Sequence, residues 1–344
     1  MDQRVIIRNF VENNPAPKQR TQEWFDMRTK RIGGSEMASI VGTDPHKKPA
    51  DIVISKVKKV YIKPNIYMMF GTVMERVCVM FVEMMCACSV IEGGCYNGCI
   101  PYTSYSPDGF TVIKRAILDD LITRNVIEYI SKEELDTITD ERGDISVLLE
   151  IKSPSTRIPN GIVPLNYLPQ PKSGLCHFPF INMAMFVDVK IEYVDEFTDE
   201  DNFNMCGFIM IGNMQYNPCA QLEDKLKVII ENENNVIYSD IGEIDITRCA
   251  RILADKGIRE YELLKYKIKH FSFIPIMRDP NYVLALQKRI NFIISTIEKY
   301  INSAPEDINE FARPENKRRF NQLVYMIKAE HEPSPTANPQ LAPL

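Results

Sequence analysis

The stretch Val147-Leu148-Leu149-Glu150-Ile151-Lys152 constrains this chain more than any other. An aliphatic run that ends in Glu-x-Lys reads as a short buried strand. Side chains alternate along a strand, so Glu150 and Lys152 share one face, while Leu149 and Ile151 share the other and point into the core. A carboxylate and an ammonium at the end of an apolar strand are costly to bury without a partner or a task. Upstream, Ser106-Pro107-Asp108-Gly109-Phe110 sets an aspartate before a glycine, at a strand end or tight bend. If the two segments pair, Asp108 and Glu150 meet as hard oxygen ligands suited to Mg²⁺ or Mn²⁺. Lys152 would then stand ready to position or activate a water beside the metal. A turn aspartate and a surface Glu and Lys on an edge strand would give the same pattern, so the rest of the chain has to decide.

The 344 residues are 45% hydrophobic, enough for one large core or two smaller domains. A net charge of −5 does not mark a nucleic-acid binder, so any basic surface is local. The cysteine count of 9 is odd, and the start Met-Asp-Gln-Arg-Val lacks a secretory leader. Both point to reduced thiols in a cytosol-like compartment. Cys86-x-Cys88 and Cys95-x-x-x-Cys99 read as small buried hydrophobes rather than a zinc site, because the chain has no Cys-x-x-Cys. Glu75, Arg76 and Glu83 interrupt the best apolar run, which excludes a membrane span there.

Thr21 is a suitable N-cap for a short helix carrying Trp24, Phe25, Met27 and Arg28. Trp24 is the only tryptophan and is expected in the core; Arg28, at i+4, lies near the same face. In residues 31–42, Gly33-Gly34 forms a turn, Ser35 caps a short helix and Gly42 stops it. Such a helix start is either an anion site or a well-capped surface helix. Residues 46–63 hold His46, Lys47, Lys48, Lys56, Lys58, Lys59 and Lys63 against Asp51, a solvated cationic face or a contact for a phosphate backbone. Residues 67–91 read as a buried methionine-rich helix in which Glu75 needs a cation or a metal as partner.

Residues 115–144 read as a mostly helical surface insertion between the two halves of the proposed site. Helices are expected over 167–178, 222–230, 247–265 and 281–302, and strands over 183–193, 206–216 and 270–277. This predicts an α/β core over 1–220, a mainly helical extension over 221–302 packed on it, and a charged tail over 303–344. The tail's Pro/Ala-rich end is expected to be disordered.

Taken in order, Trp24-x-x-x-Arg28, Gly33-Gly34-Ser35-Glu36, Phe70-Gly71 with Glu75, Ser106-Pro107-Asp108-Gly109, Glu150-x-Lys152 and Gln170 resemble the phage-lambda-exonuclease-like viral recombinases. This YqaJ family lies within the PD-(D/E)xK nuclease superfamily, and the chain looks like the versions carried by large DNA viruses. The resemblance spans roughly residues 20–190. It implies a restriction-endonuclease-like core, a central mixed β-sheet flanked by helices. It implies that Asp108, Glu150, the backbone carbonyl of Ile151 and Glu75 hold Mg²⁺, for which Mn²⁺ can substitute. Lys152 would orient or activate water, supported by Gln170. Arg28, Ser35, Ser106 and Arg157 would surround the 5′-phosphate of a DNA end, with Lys47, Lys48, Lys56, Lys58 and Lys59 as further DNA contacts. The 115–144 insertion and the long C-terminal region depart from the phage enzymes, so the phage trimer is not carried over.

The activity expected is a Mg²⁺-dependent 5′→3′ exonuclease on double-stranded DNA, leaving 3′ single strands for viral recombination, repair or replication. A single-strand annealing protein is the partner the family implies, and the host cytoplasm or site of viral replication the expected location. A structure-selective endonuclease on the same fold is the alternative. So is a DNA-end-binding protein without catalysis.

Overall fold

The structure is a computed structural model and describes residues 2–60, 63–127, 130–214, 221–279 and 281–327. The N-terminal third is helical: α1 (Gln3–Asn13), α2 (Gln22–Thr29), α3 (Met37–Val41), α4 (Pro49–Lys58) and α5 (Ile66–Cys86), with the short strand β1 (Ile32–Gly33) after α2. Caps explain the boundaries. The Thr21 side chain accepts from Trp24 N at the start of α2, and Asn65 Oδ1 accepts from Met68 N at the start of α5. Gly42 stops α3 at φ 94°. Two short strands, β2 (Tyr96–Asn97) and β3 (Thr103–Tyr105), join β1 in a small sheet of order β1-β3-β2.

The main sheet begins with β4 (Gly109–Lys114). Helices α6 (Arg115–Thr123) and α7 (Lys132–Ile138) follow, then β5 (Asp144–Lys152), α8 (Pro169–His177) and β6 (Met183–Val194). After these come β7 (Cys206–Gly212), α9 (Leu222–Glu231), β8 (Val236–Tyr238), α10 (Thr247–Asp255) and β9 (Tyr261–Met277). The chain continues through α11 (Tyr282–Ile301), α12 (Pro305–Phe311) and α13 (Pro314–Met326). The sheet order is β4-β5-β6-β9-β7-β8; β5 and β6 run parallel and the other neighbours antiparallel. The mixed sheet flanked by helices is thus as expected. No described helix is long and apolar enough to cross a membrane.

One face of the sheet packs Val147, Leu149 and Ile151 against α5, α6 and α9, with Phe81 and Val77 of α5 wholly buried. The other face packs Leu148 with Tyr105, Phe110 and Phe178. Each such large apolar side chain contributes about 1.5–3 kcal/mol of transfer free energy on full burial. The alternation read from the sequence of β5 therefore holds.

Three expectations are corrected. The division at residue 220 does not exist, because β9 lies between β6 and β7 and pairs with both. The helix expected over 247–265 ends at Asp255, where Gly257 takes φ 79°, and 261–277 is one long strand. Leu264, Tyr266 and Ile268 point inward from it while the intervening lysines stay out. The tail expected from 303 instead forms α12 and α13, whose Ile308, Phe311, Phe320 and Val324 pack with α4 and α11. Its last residues, 328–344, lie outside the described residues. The insertion over 115–144 is helical, as expected, but Leu118, Leu121, Ile127 and Leu135 enter the main core.

Candidate metal centre and anion pocket

The β4–β5 ladder pairs Gly109 with Leu149. One step further in the same antiparallel register, Asp108 stands across from Glu150. Asp108 Oδ2 accepts the Ile151 N–H at 2.6 Å, which ties the turn to the end of β5. Glu150 is 0% exposed, and its Oε2 accepts from Tyr105 Oη at 2.9 Å. Lys152 donates to Glu150 Oε1 and, at 3.1 Å, to the Ile151 carbonyl. Glu75 approaches from α5, where Arg20 Nη2 donates to it at 2.6 Å.

The electrostatics follow from burial. Desolvation raises the pKa of Glu75, and the nearby charge of Asp108 raises it further, to about 7. Desolvation likewise raises Glu150, against the opposing pull of Lys152 and with help from Asp108, to about 7. Asp108 is also raised, chiefly by burial. Burial alone would lower the pKa of the Lys152 ammonium; the charges of Glu150 and Asp108 outweigh it, and the net shift is upward. Burial and the Glu150 charge push the Tyr105 hydroxyl well above its ordinary value, so it stays a donor.

Among the described residues no three His, Cys, Asp or Glu side chains stand grouped as a metal cage. Mg²⁺ needs none: it is usually held by one or two carboxylates, several waters and substrate phosphates. Asp108, Glu150 and the Ile151 carbonyl are hard oxygen donors that fit Mg²⁺ or Mn²⁺. Burial raises the pKa of both carboxylates, and the charge of Lys152 only partly offsets it.

The candidate anion pocket lies beside this cluster. Arg28, Ser35, Ser106, Gln170 and the Gly33-Gly34 backbone line it. Arg28 Nη2 donates to Ser35 Oγ at 3.0 Å, and the guanidinium lies 4.5 Å over the Trp24 ring. Trp24 Nε1 donates to Ser106 Oγ at 3.0 Å. Trp24 is therefore half-buried at the pocket edge rather than a core anchor. Ser35 is not the helix cap either. It lies inside a 3₁₀ turn (Gly34–Glu36), and Glu36 accepts the Gly33 N–H at 3.0 Å. The Gly33 N–H that would face an anion at a helix start therefore already has a partner.

The lysines of residues 46–63 divide into two groups. Lys47 and Lys56 pair with buried Glu36 at 2.7 and 2.9 Å, and Lys56 also donates to the Arg28 carbonyl at 2.7 Å. Lys48 Nζ donates to the Asp44 carbonyl at 2.5 Å. Buried Glu36 thus claims the charges of Lys47 and Lys56, whereas Lys48 meets only a backbone carbonyl. Lys58 and Lys59 are exposed, although Lys58 donates to Asn309 Oδ1 at 2.8 Å. Lys63 is exposed too.

Arg157 is not in the pocket lining. It grips Asp188 with both terminal nitrogens, because Asp188 is 1% exposed and needs a countercharge. It shares the Tyr167 ring with Lys152, at 5.8 and 5.7 Å. Gln170, expected beside Lys152, lies in the pocket wall against Gly34. Sequence reasoning missed Tyr105, Arg20, Glu36 and Asp188. Tyr105 carried a signal, standing next to Ser106 in the Ser-Pro-Asp segment, and Glu36 stood in the Gly-Gly-Ser-Glu motif without a role assigned to it.

Residues 23–175 match the YqaJ-like viral recombinase domain. Protein D345L from the Badajoz strain of African swine fever virus is 31% identical over 301 residues, covering 81% of this chain and 78% of the relative. D345L from the Pretoriuskop isolate is 28% identical over 290 residues, covering 78% and 76%. Among solved structures, an alkaline exonuclease from Laribacter hongkongensis aligns over 85% of this chain and 100% of its own, with 14% identity and a TM-score of 0.44. The chain belongs to the YqaJ-like viral recombinase family.

Proposed function

We propose that this protein is a divalent-metal-dependent 5′→3′ exonuclease on double-stranded DNA. It acts on 5′-phosphorylated ends and leaves 3′ single strands for viral recombination, repair or replication. One observation carries the reading: residues 104–108 line the anion pocket with Ser104, Tyr105 and Ser106, then deliver Asp108 to Glu150 and Lys152. An anion pocket joined to a carboxylate–lysine cluster by so short a segment fits cleavage next to a phosphorylated end. Membership of a viral recombinase family supports the same substrate.

Asp108, Glu150 and the Ile151 carbonyl would hold Mg²⁺ or Mn²⁺, with Glu75 at its edge. When bound, such an ion stabilises charge on the phosphate and lowers the pKa of water. Lys152, as a protonated ammonium, orients the attacking water and offsets charge at phosphorus. Arg28 and Ser35 hold the terminal phosphate through charge-assisted hydrogen bonds. Trp24 holds the Arg28 plane and Ser106 in place. The 3′ strands so exposed are substrates for a single-strand annealing protein, the partner this reading expects.

The test is a linear duplex incubated with Mg²⁺ beside a covalently closed circle. Mononucleotides released from the 5′ ends, with the circle intact, are expected. Nicking of the circle would replace this reading with an endonuclease.

A further inference from the structure

We propose that Tyr105 couples recognition of a DNA end to the metal centre, acting as a positioning residue for both. The inference rests on the exonuclease reading and adds a component to it. Tyr105 ends β3 and is 1% exposed. Its ring forms part of the anion-pocket wall with Arg28, Ser35 and Ser106. Its hydroxyl donates to Glu150 Oε2 at 2.9 Å. One rigid side chain therefore touches both halves of the site.

The ring has almost no freedom to move. A Cβ added at Gly34 would fall 2.4 Å from Tyr105 Cδ2, and one at Gly174 would fall 2.5 Å from Cζ. The two glycines hold the phenol between the pocket loop and α8. His177 and Phe178 pack on it with ring centroids 6.0 and 5.9 Å away. By taking Oε2, Tyr105 sets the rotation of the Glu150 carboxylate, whose Oε1 faces Lys152. A shift of the pocket loop thus reaches Glu150 through the phenol.

Tyr105→Phe keeps the ring and removes the hydroxyl. Partners of this kind usually contribute about 10- to 100-fold to metal affinity. Mn²⁺ affinity, followed by the electron paramagnetic signal of free Mn²⁺ without DNA, should weaken about tenfold. With DNA, the preference for 5′-phosphorylated over 5′-hydroxyl ends, read as a ratio of kcat/KM, should shrink. Gly34→Ala retains the hydroxyl but displaces the ring, and should produce the same two losses. Thermal unfolding near wild type would show that both variants fold. Unchanged Mn²⁺ affinity or unchanged end preference in Tyr105→Phe overturns the coupling. A wild-type enzyme that degrades duplexes with no phosphate preference overturns the exonuclease reading itself, and the coupling with it.

Discussion

Arg20 reaches from the loop before α2 to Glu75 on α5, with Nη2 2.6 Å from the carboxylate. Its backbone sits at φ 68°, an uncommon conformation for a residue with a side chain, and Gln19 Nε2 beside it donates to the Pro107 carbonyl at 3.1 Å. The N-terminal loop is thereby fixed to the Ser-Pro-Asp turn and supplies a cation to the carboxylate cluster. Arg20 lowers the Glu75 pKa against the dominant effect of burial. Arg20→Ala should therefore move the acid limb of the pH–rate profile upward. An unchanged limb would contradict a role for Glu75 in the centre.

The raised carboxylates make a second prediction. Glu75 and Glu150 rise from an ordinary 4.5 to about 7, chiefly through burial. The folded protein then holds protons that the unfolded chain has already lost. Their contribution to stability is full below 4.5 and is lost as pH rises through about 7. Metal binding requires the deprotonated forms and opposes this loss. The rise in Tm caused by Mg²⁺, measured by differential scanning fluorimetry, should be small near pH 5.5 and larger near pH 8. A shift independent of pH would contradict the carboxylate assignment.

Glu36 gives a stability prediction. Burial would raise its pKa, but Lys56 and Lys47 hold it down at about 2. Its contribution is therefore present above the ordinary 4.5 and lost as pH falls towards 2. Glu36→Ala strands two lysines, one of them only 10% exposed, and should cost about 3–5 kcal/mol in urea unfolding. In DNA binding, Lys56→Ala should leave the salt dependence nearly unchanged, whereas Lys58→Ala and Lys59→Ala should reduce it. The opposite pattern would restore Lys56 as a phosphate contact.

Arg28→Ala should remove charge-assisted hydrogen bonds worth about 1.5–3 kcal/mol, roughly a tenfold to hundredfold loss. The loss should fall on 5′-phosphorylated ends and spare 5′-hydroxyl ends, which steady-state kinetics on the two duplexes would resolve. An equal loss on both would assign Arg28 a role unrelated to the phosphate.

Strand periodicity and a Pro-Asp-Gly turn made each half of the Asp108–Glu150 meeting legible, but their pairing across α6 and α7 was carried only by the family resemblance. Strand β9 was not legible. Its partners β6 and β7 are distant in sequence, and the helix expected over 247–265 was carried through Gly257, the break at which α10 ends. The lysine patch misled for another reason. Composition cannot distinguish a solvated ammonium from one paired with a buried glutamate, and Glu36 looked like part of a surface helix. Arg157 matched by position, yet the buried Asp188 that claims it is apparent only once β6 is placed beside β5. Trp24 and Arg28 were correctly seen as neighbours, but their spacing could not reveal that both face a pocket.

The most direct test of the central claim follows nucleotide release from linear duplex DNA with Mg²⁺, comparing wild type with Lys152→Ala. Wild type should release mononucleotides progressively from phosphorylated 5′ ends, and Lys152→Ala should be slower by about 10²–10⁴-fold while still binding DNA. Tight DNA binding by wild type with no release in either Mg²⁺ or Mn²⁺ would contradict the account and leave an end-binding protein on this fold.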